Sequence, residues 1–345
     1  MTAVAIGIGI LAALLLCEAL LRASRATESS RIVGGWDFQV FDAIIGWKNK
    51  PGYRNDFLEI NALSFRGAPL QRRKPAGTVR IACLGDSGTF GIWAKATSYG
   101  LCFDSYPDAL ARLLRRPGTP VVEVINCGVL GYSSSHGLRQ LLTSVAELDP
   151  DIVTLRFGFN DHSMAWDSTL RMEEPASPLL RLLLYRLWRW QLARLYLWTY
   201  RRTLRSDPFL RWTTVERFEA NMHRFAEVAR RRRWKLLVLD YPLRPIERGE
   251  SRDTETPFFL LGAADLADLH RLHATYQDAL RRVVAAEGLA LVETGAAFRA
   301  CQEDVWSDYD LIHPNDRGAE LIARQLVASM EREGWLDPPL AASHR

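Results

Sequence analysis

The sequence predicts an α/β fold: a doubly wound parallel sheet with helices on both faces. Three observations carry that expectation. Five short runs rich in β-branched and aliphatic residues stand at 79–84 (VRIACL), 121–125 (VVEVI), 152–157 (IVTLRF), 235–240 (KLLVLD) and 289–293 (LALVE). Stretches of helical periodicity lie between and after them, near 106–115, 136–147, 215–233, 264–286 and 316–333. Apolar runs of this length, bounded by turns and separated by helices, read as buried parallel strands. Finally, Gly85-Asp86-Ser87 follows the first run directly, and open α/β sheets bind ligands beyond the carboxyl ends of their strands.

In chain order, residues 2–21 (TAVAIGIGILAALLLCEALL) are apolar except for Thr2 and Glu18. About 20 such residues span a bilayer core. No basic residue precedes Arg22, as a secretory signal would usually have, and Leu16 stands where a lipoprotein signal wants a small residue before Cys17. Residues 1–22 are therefore expected to be a retained, single-pass membrane anchor; a cleaved signal and a buried soluble helix are the alternatives. Residues 23–78 read as an irregular extension, with turn signals at Gly34-Gly35, Pro51-Gly52 and Pro75-Ala76-Gly77. The α/β domain occupies 79–335, and 336–345 is a tail. Within the domain, 162–214 is much longer than a usual connection after a strand and reads as a helical insert. Its stretch 177–206 holds Arg181, Arg186, Arg189, Arg194, Arg201, Arg202 and Arg205, no acid, and Trp188, Trp190 and Trp198. Arginine mixed with tryptophan and leucine suits an interface with anionic lipid headgroups. It equally suits an insert packed on its own domain with arginines snorkelling to water.

A chain of 345 residues, 48% hydrophobic and 24% charged, can bury a large core and is not disordered wholesale. A formal net charge of +4 is too small to imply a nucleic-acid partner. Cys17, Cys83, Cys102, Cys127 and Cys301 are odd in number and lack metal or redox spacing, so buried free thiols are expected rather than a disulfide framework or zinc site.

Ser87 sits in a string, Gly85-Asp86-Ser87-Gly88, that also begins the nucleophile segment of trypsin-like proteases, and Arg31-Ile32-Val33-Gly34-Gly35 looks like an activation site. That reading fails on chain order. The first histidine is His136, after Ser87, and the stretch from Ile32 to Ser87 is too short for a barrel. An α/β-hydrolase elbow needs Gly-x-Ser-x-Gly, and Thr89 holds the last position.

Further blocks follow the later strands. INCGVLGYSS (125–134) follows the second, FGFND (157–161) the third, and DLIHPN (310–315) precedes the last helical stretch. Gly-Asp-Ser, Asn-x-Gly-x-x-Gly, Gly-x-Asn-Asp and Asp-x-x-His-Pro, in that order over about 79–333, resemble the SGNH (GDSL-type) hydrolase superfamily. GWKNKPGY (46–53) and INALSFRG (60–67) further resemble a bacterial subset with an N-terminal membrane helix. The resemblance implies a flavodoxin-like parallel sheet of about five strands. The leucine usual after the serine is replaced by Gly88, a departure that leaves the triad unaffected.

A serine hydroxyl is a poor nucleophile until a base takes its proton. His313 is the best-placed base, and Asp310, three residues earlier, would reach its imidazole within one turn and fix the tautomer. The resemblance implies three oxyanion donors: the Ser87 and Gly131 backbone N–H groups and the Asn160 amide. Gly128 is the alternative to Gly131, although it is expected to shape the turn. Asp308 competes with Asp310, at the wrong spacing for the motif. Asp86 and Asp161 read as loop braces, and Asn315 as the cap of the final helix. His136 and His162 lie near strand ends, where they could line a pocket; a structural role is the simpler expectation.

The resemblance implies a serine esterase working through an acyl-enzyme on short acyl esters, acetyl among them, of a cell-envelope or exported carbohydrate, with no metal or organic cofactor. The same triad would serve an O-acyltransferase or a lipid acyl hydrolase; a catalytically silent membrane-associated binding module is the alternative from another class. Arg22, Arg25 and Arg31 favour a cytoplasmic domain by the positive-inside rule, but a large translocated domain overrides a weak bias. The expectation is an extracytoplasmic catalytic domain.

Overall fold

The computed structural model describes residues 2–24, 32–33, 35–95, 98–101, 105–115, 121–171, 177–205, 207, 210–245, 258–307 and 311–336. Arg25, Arg31, Gly34, Cys102 and the tail beyond Leu336 lie outside the described residues.

The chain begins with helix α1 (Thr2–Ser24), followed by strands β1 (Ile32–Val33), β2 (Trp36–Asp42) and β3 (Gly46–Asn49). Strand β4 (Thr78–Gly85) leads into the short helix α2 (Ser87–Phe90), the hairpin β5 (Ile92–Lys95) and β6 (Ser98–Leu101), helix α3 (Tyr106–Leu114) and β7 (Val121–Asn126). Next come α4 (Ser134–Gln140), β8 (Ile152–Arg156), α5 (Phe159–His162), α6 (Pro178–Leu187), α7 (Gln191–Thr203) and α8 (Val215–Arg232). The last elements are β9 (Lys235–Leu239), α9 (Leu266–Glu287), β10 (Ala290–Val292), α10 (Thr294–Ala300) and α11 (Asp316–Arg332).

The central sheet is five-stranded and parallel throughout, in the order β10-β9-β8-β4-β7. All five strands coincide with the apolar runs of the sequence, and the flavodoxin-like order is present. Helices cover both faces. On one, α3 and α11 bury Tyr106, Leu110, Ile322 and Leu326 against Ile81 and Leu237; on the other, α4, α8 and α9 bury Leu138, Phe225 and Leu280 against Ala82 and Val153. Each such fully buried aliphatic or aromatic side chain contributes about 1.5–3 kcal/mol. Strand order reverses between β4 and β8, and the crevice at their carboxyl ends is where such a sheet binds ligand.

The stretch 23–78, read as irregular, differs from expectation. It contains a three-stranded antiparallel sheet, β1-β2-β3. Its strands are short, and β2 and β3 bury nearly every residue rather than alternate, so no period of two is visible. Within helix α1 the 21-residue stretch Val4–Ser24 holds an 18-residue window of mean hydropathy 2.5, long and apolar enough to cross a membrane or to be a signal sequence. Cys17 on it is exposed, against the expectation of a buried thiol; Cys83 and Cys127 are buried.

Glu18 joins α1 to the insert. Its carboxylate accepts the first N–H groups of α7, from Gln191 at 3.0 Å and Leu192 at 3.1 Å, and pairs with Arg22 at 2.6 Å. The acid-free stretch 177–206 of the insert finds its acids elsewhere in the chain. Arg189 pairs with Glu147 at 2.9 Å, and Arg194 pairs with the buried Asp42. Leu184, Trp188, Leu197 and Trp198 pack against the main core. Leu179, Leu180 and Leu183 of α6 remain exposed, with Tyr196 and Tyr200 of α7.

Candidate active site

Strand β4 delivers the nucleophile candidate. A Cβ on Gly85 would lie 2.0 Å from Thr89 Oγ1 and 2.8 Å from the Arg156 carbonyl oxygen, so only glycine lets the chain turn so tightly into α2. Asp86 caps that helix, its Oδ1 accepting the Gly88 N–H at 2.9 Å. Ser87 Oγ lies 2.6 Å from His313 Nε2. The backbone of His313 is pinned by Ser307, whose N–H and hydroxyl both donate to its carbonyl at 3.0 Å. Asn315 then caps α11, accepting from Gly318 N–H at 3.0 Å, while its amide donates to the carbonyls of Asp304 and Trp306. Asp310 and its competitor Asp308 lie outside the described residues.

Asn160, in the first turn after β8, reaches the same place. Its Nδ2 donates to Asp86 Oδ2 at 3.2 Å and to the Tyr132 carbonyl at 3.1 Å. The amide therefore bridges the serine helix and the 127–132 loop. In that loop Gly131 takes φ +78°, a conformation that favours glycine. Gly128 is pressed on α2 instead: a Cβ there would meet the Phe90 backbone nitrogen at 2.3 Å. Close approach of two backbones is a sufficient reason for that glycine.

The N-terminal extension braces this loop and helix. Trp47 Nε1 donates to the Leu130 carbonyl at 2.9 Å, and Asn49 Nδ2 to the Gly128 carbonyl at 3.1 Å. Arg66 donates to the carbonyls of Phe90 and Gly91 at the end of α2, and Asn126 adds a bond to Phe90 at 3.2 Å. The half-exposed Trp166 stacks obliquely on Trp47 with ring centroids 5.4 Å apart, and its indole nitrogen lies 4.0 Å from where a Gly131 Cβ would be. Nothing in the sequence blocks marks Trp47 or Trp166 as neighbours of Gly131.

Burial pushes Asp86 above the usual carboxylate range. The nearby guanidinium of Arg156 opposes this most, followed by the Gly88 N–H, His313 and Tyr241. Burial likewise lifts Asp161 to about 6, against donors from Ser134 and Thr213. Asp161 accepts from the Ser134 N–H at 2.9 Å and hydroxyl at 2.5 Å, tying α5 to α4. His136 is fully buried among Trp47, Tyr132 and Trp212, its ring nitrogens facing Ser133 Oγ at 2.9 Å and the Leu170 carbonyl at 3.1 Å. His162 faces the Leu261 carbonyl at 3.0 Å and His273 Nδ1 at 3.1 Å, and His273 Nε2 faces the Tyr241 carbonyl at 2.6 Å. Burial holds both rings down, His162 to about 3 and His273 to about 4. Among the described residues, no three His, Cys, Asp or Glu side chains converge as a metal site.

The profile of the GDSL-like lipase/acylhydrolase family matches residues 83–321, more than half of the chain. The chain belongs to that family. A GDSL-like acylhydrolase is a serine hydrolase of carboxylic esters. Solved structures similar to this GDSL-like chain include a lipase/acylhydrolase from Enterococcus faecalis (20% identity, 75% of this chain and 98% of that one, TM-score 0.47). Another is an α/β hydrolase from the metagenome of Lake Arreo, Spain (21%, 76% and 97%, TM-score 0.45). A third is a catalytic mutant of an acetylxylan esterase from Geobacillus stearothermophilus (14%, 74% and 96%, TM-score 0.46). No curated protein matches the chain at a significant level.

Proposed function

We propose that the chain hydrolyses short acyl esters through Ser87, His313 and Asp310, and that the 2.6 Å contact of Ser87 Oγ with His313 Nε2 is the observation that carries this reading. Ser87 Oγ attacks the acyl carbon as His313 Nε2 takes its proton. The tetrahedral oxyanion is received by the N–H groups of Ser87 and Gly131 and by the Asn160 amide, which keeps its bond to Asp86 and turns its second hydrogen from the Tyr132 carbonyl to the oxyanion. Its collapse expels the alcohol, which takes the proton from His313, and leaves the acyl group on Ser87. Water, deprotonated by the same imidazole, then releases the acid and restores the serine. Asp310 keeps the proton on the far ring nitrogen throughout. A fluorophosphonate should label Ser87 in the intact protein and not in Ser87→Ala, with hydrolysis of 4-nitrophenyl acetate lost alongside; a label persisting in Ser87→Ala moves the nucleophile elsewhere.

The alcohol half of the substrate is proposed to be an envelope or exported carbohydrate. The half-exposed Trp166 beside Gly131 offers a flat apolar face on which the C–H face of a sugar ring can lie. The domain then works outside the cytoplasm, held by α1. Protease added to intact spheroplasts should digest it; full protection until lysis would reverse the side and remove this substrate class.

A second reading, hydrolysis of lipid acyl esters, is favoured by one observation. Glu18 fixes α7 to the last turns of α1, so the exposed leucines of α6 stand on an insert anchored to the candidate span. Arg194 and Trp188 are engaged within the domain, which leaves Leu179, Leu180, Leu183 and the exposed Arg186 to meet lipid. Protein lacking residues 1–24 should then bind anionic vesicles in a salt-sensitive way, and serine at the three leucine positions should abolish binding while sparing the soluble ester. Failure to bind at low salt eliminates the lipid reading.

A further inference from the structure

We propose that Arg156 is a positioning residue for ester hydrolysis: its buried guanidinium, lodged where a side chain at position 88 would lie, is the countercharge that lets Asp86 clamp the Ser87 helix to the Asn160 amide. The proposal rests on the assignment of Ser87 and His313 above.

Arg156 ends β8, opposite Gly85 on β4, and is fully buried. Gly88 makes its space. A Cβ at 88 would lie 1.9 Å from Arg156 Nη1 and 3.0 Å from the Tyr241 hydroxyl. The leucine usual at this position in the family and the guanidinium therefore exclude each other. The guanidinium carbon lies 3.9 Å from the Tyr241 ring centroid, and that phenol donates to Asp86 Oδ1 at 3.1 Å. A cation over the ring face draws electron density from the phenol and strengthens its O–H as a donor to a carboxylate. Asp86 Oδ1 also accepts from Gly88 N–H, and Oδ2 from Asn160. One carboxylate thus sets both the nucleophile helix and the amide meant for the oxyanion.

Packing alone does not call for an arginine here. Among the described residues, none of its three guanidinium nitrogens has a hydrogen-bond partner. A buried cation without acceptors is costly, and methionine would fill similar space without that cost. What the charge does is oppose the burial that works against the Asp86 carboxylate. The other titratable groups around Asp86 are Tyr241 after β9, His313 before α11 and Asp161 on α5.

The test is steady-state kinetics on the full chain with 4-nitrophenyl acetate, across the acid and neutral range, with Ser87→Ala as control. Arg156→Gln should lower kcat by roughly 10–100-fold, the scale of a small misplacement of reacting groups, with KM changed less than about threefold. The acid limb of kcat/KM should move to higher pH, because Asp86 without its countercharge takes a proton at higher pH. Arg156→Lys, which keeps the charge, should hold the limb in place. In Gly88→Leu/Arg156→Met the leucine refills the space, so Tm should recover while the kcat loss persists. Equal acid limbs in the Lys and Gln variants, or full kcat in the repacked double variant, would overturn the proposal and leave Arg156 as filler. Should the neutral variants not fold, Asp86→Asn, which keeps a cap and removes the charge, must show the same kcat loss; unchanged kcat there also overturns it. Activity surviving in Ser87→Ala is instead a failure of the nucleophile assignment. An inactive Ser87→Ala beside a fully active Arg156→Gln is a failure of this proposal alone.

Discussion

His313→Ala should lower kcat for 4-nitrophenyl acetate by about 10⁴–10⁶-fold and slow fluorophosphonate labelling of Ser87 in parallel. The expectation follows from the 2.6 Å contact. Without an acceptor at that distance the hydroxyl keeps its proton, and an alcohol is a weak nucleophile toward an ester. KM should stay within about threefold, since the imidazole acts on the transition state more than on the bound ester. The double variant Ser87→Ala/His313→Ala should be no worse than either single one, because groups acting as a unit are not additive. If His313→Ala retains more than about 1% of kcat, another base serves Ser87, which the handed-on proton of the usual mechanism does not allow.

Asp310→Asn should cost about 10⁴-fold in kcat, while Asp308→Asn stays within about threefold. His313 presents Nε2 to Ser87, so a productive imidazole carries its proton on Nδ1. A carboxylate behind Nδ1 favours that tautomer and stabilises the imidazolium formed during attack. An amide there can present a donor instead, which turns the ring to the tautomer with Nε2–H facing the serine, where it cannot accept the proton. Measuring both variants under the same conditions decides the acid; the reverse ranking assigns the role to Asp308.

Much of this was legible because each block sits at a strand end and strand ends are marked by composition. The five apolar runs gave the central sheet, and Gly85-Asp86-Ser87, Gly158-Phe159-Asn160-Asp161 and His313-Pro314-Asn315 fell at the loops that converge there. Asn315 was readable as a cap because an Asn just before a helical period has few other uses. What stayed hidden depends on contacts far apart in the chain. The sequence shows Arg156 only as one charge in the run IVTLRF, and its match to Gly88 appears only when β4 and β8 pair. The hold of Trp47, Asn49 and Arg66 on the 128–131 loop and α2 was equally silent. Those residues bond backbone carbonyls, and a carbonyl leaves no signature in the identity of the residue that owns it. The joint of Glu18 with α7 was visible only as an odd acid in an apolar run.

The two buried histidines carry a consequence of proton counting. His162 and His273 line up three contacts: a carbonyl of Leu261, the gap between the rings, and a carbonyl of Tyr241. A carbonyl can only accept, so closing all three contacts takes three N–H protons. With both rings held neutral at ordinary pH there are two. The 2.6 Å contact at Tyr241 has the strongest claim on one of them. The remaining proton has two homes on His162. On Nδ1 it bonds Leu261 and sets two lone pairs face to face between the rings; on Nε2 it closes the gap and leaves Leu261 without that donor. The pair is thus a two-tautomer element, and His162 closes the short helix that carries Asn160. The end of that helix is tied either to the 258–261 turn or to α9, never to both by this proton.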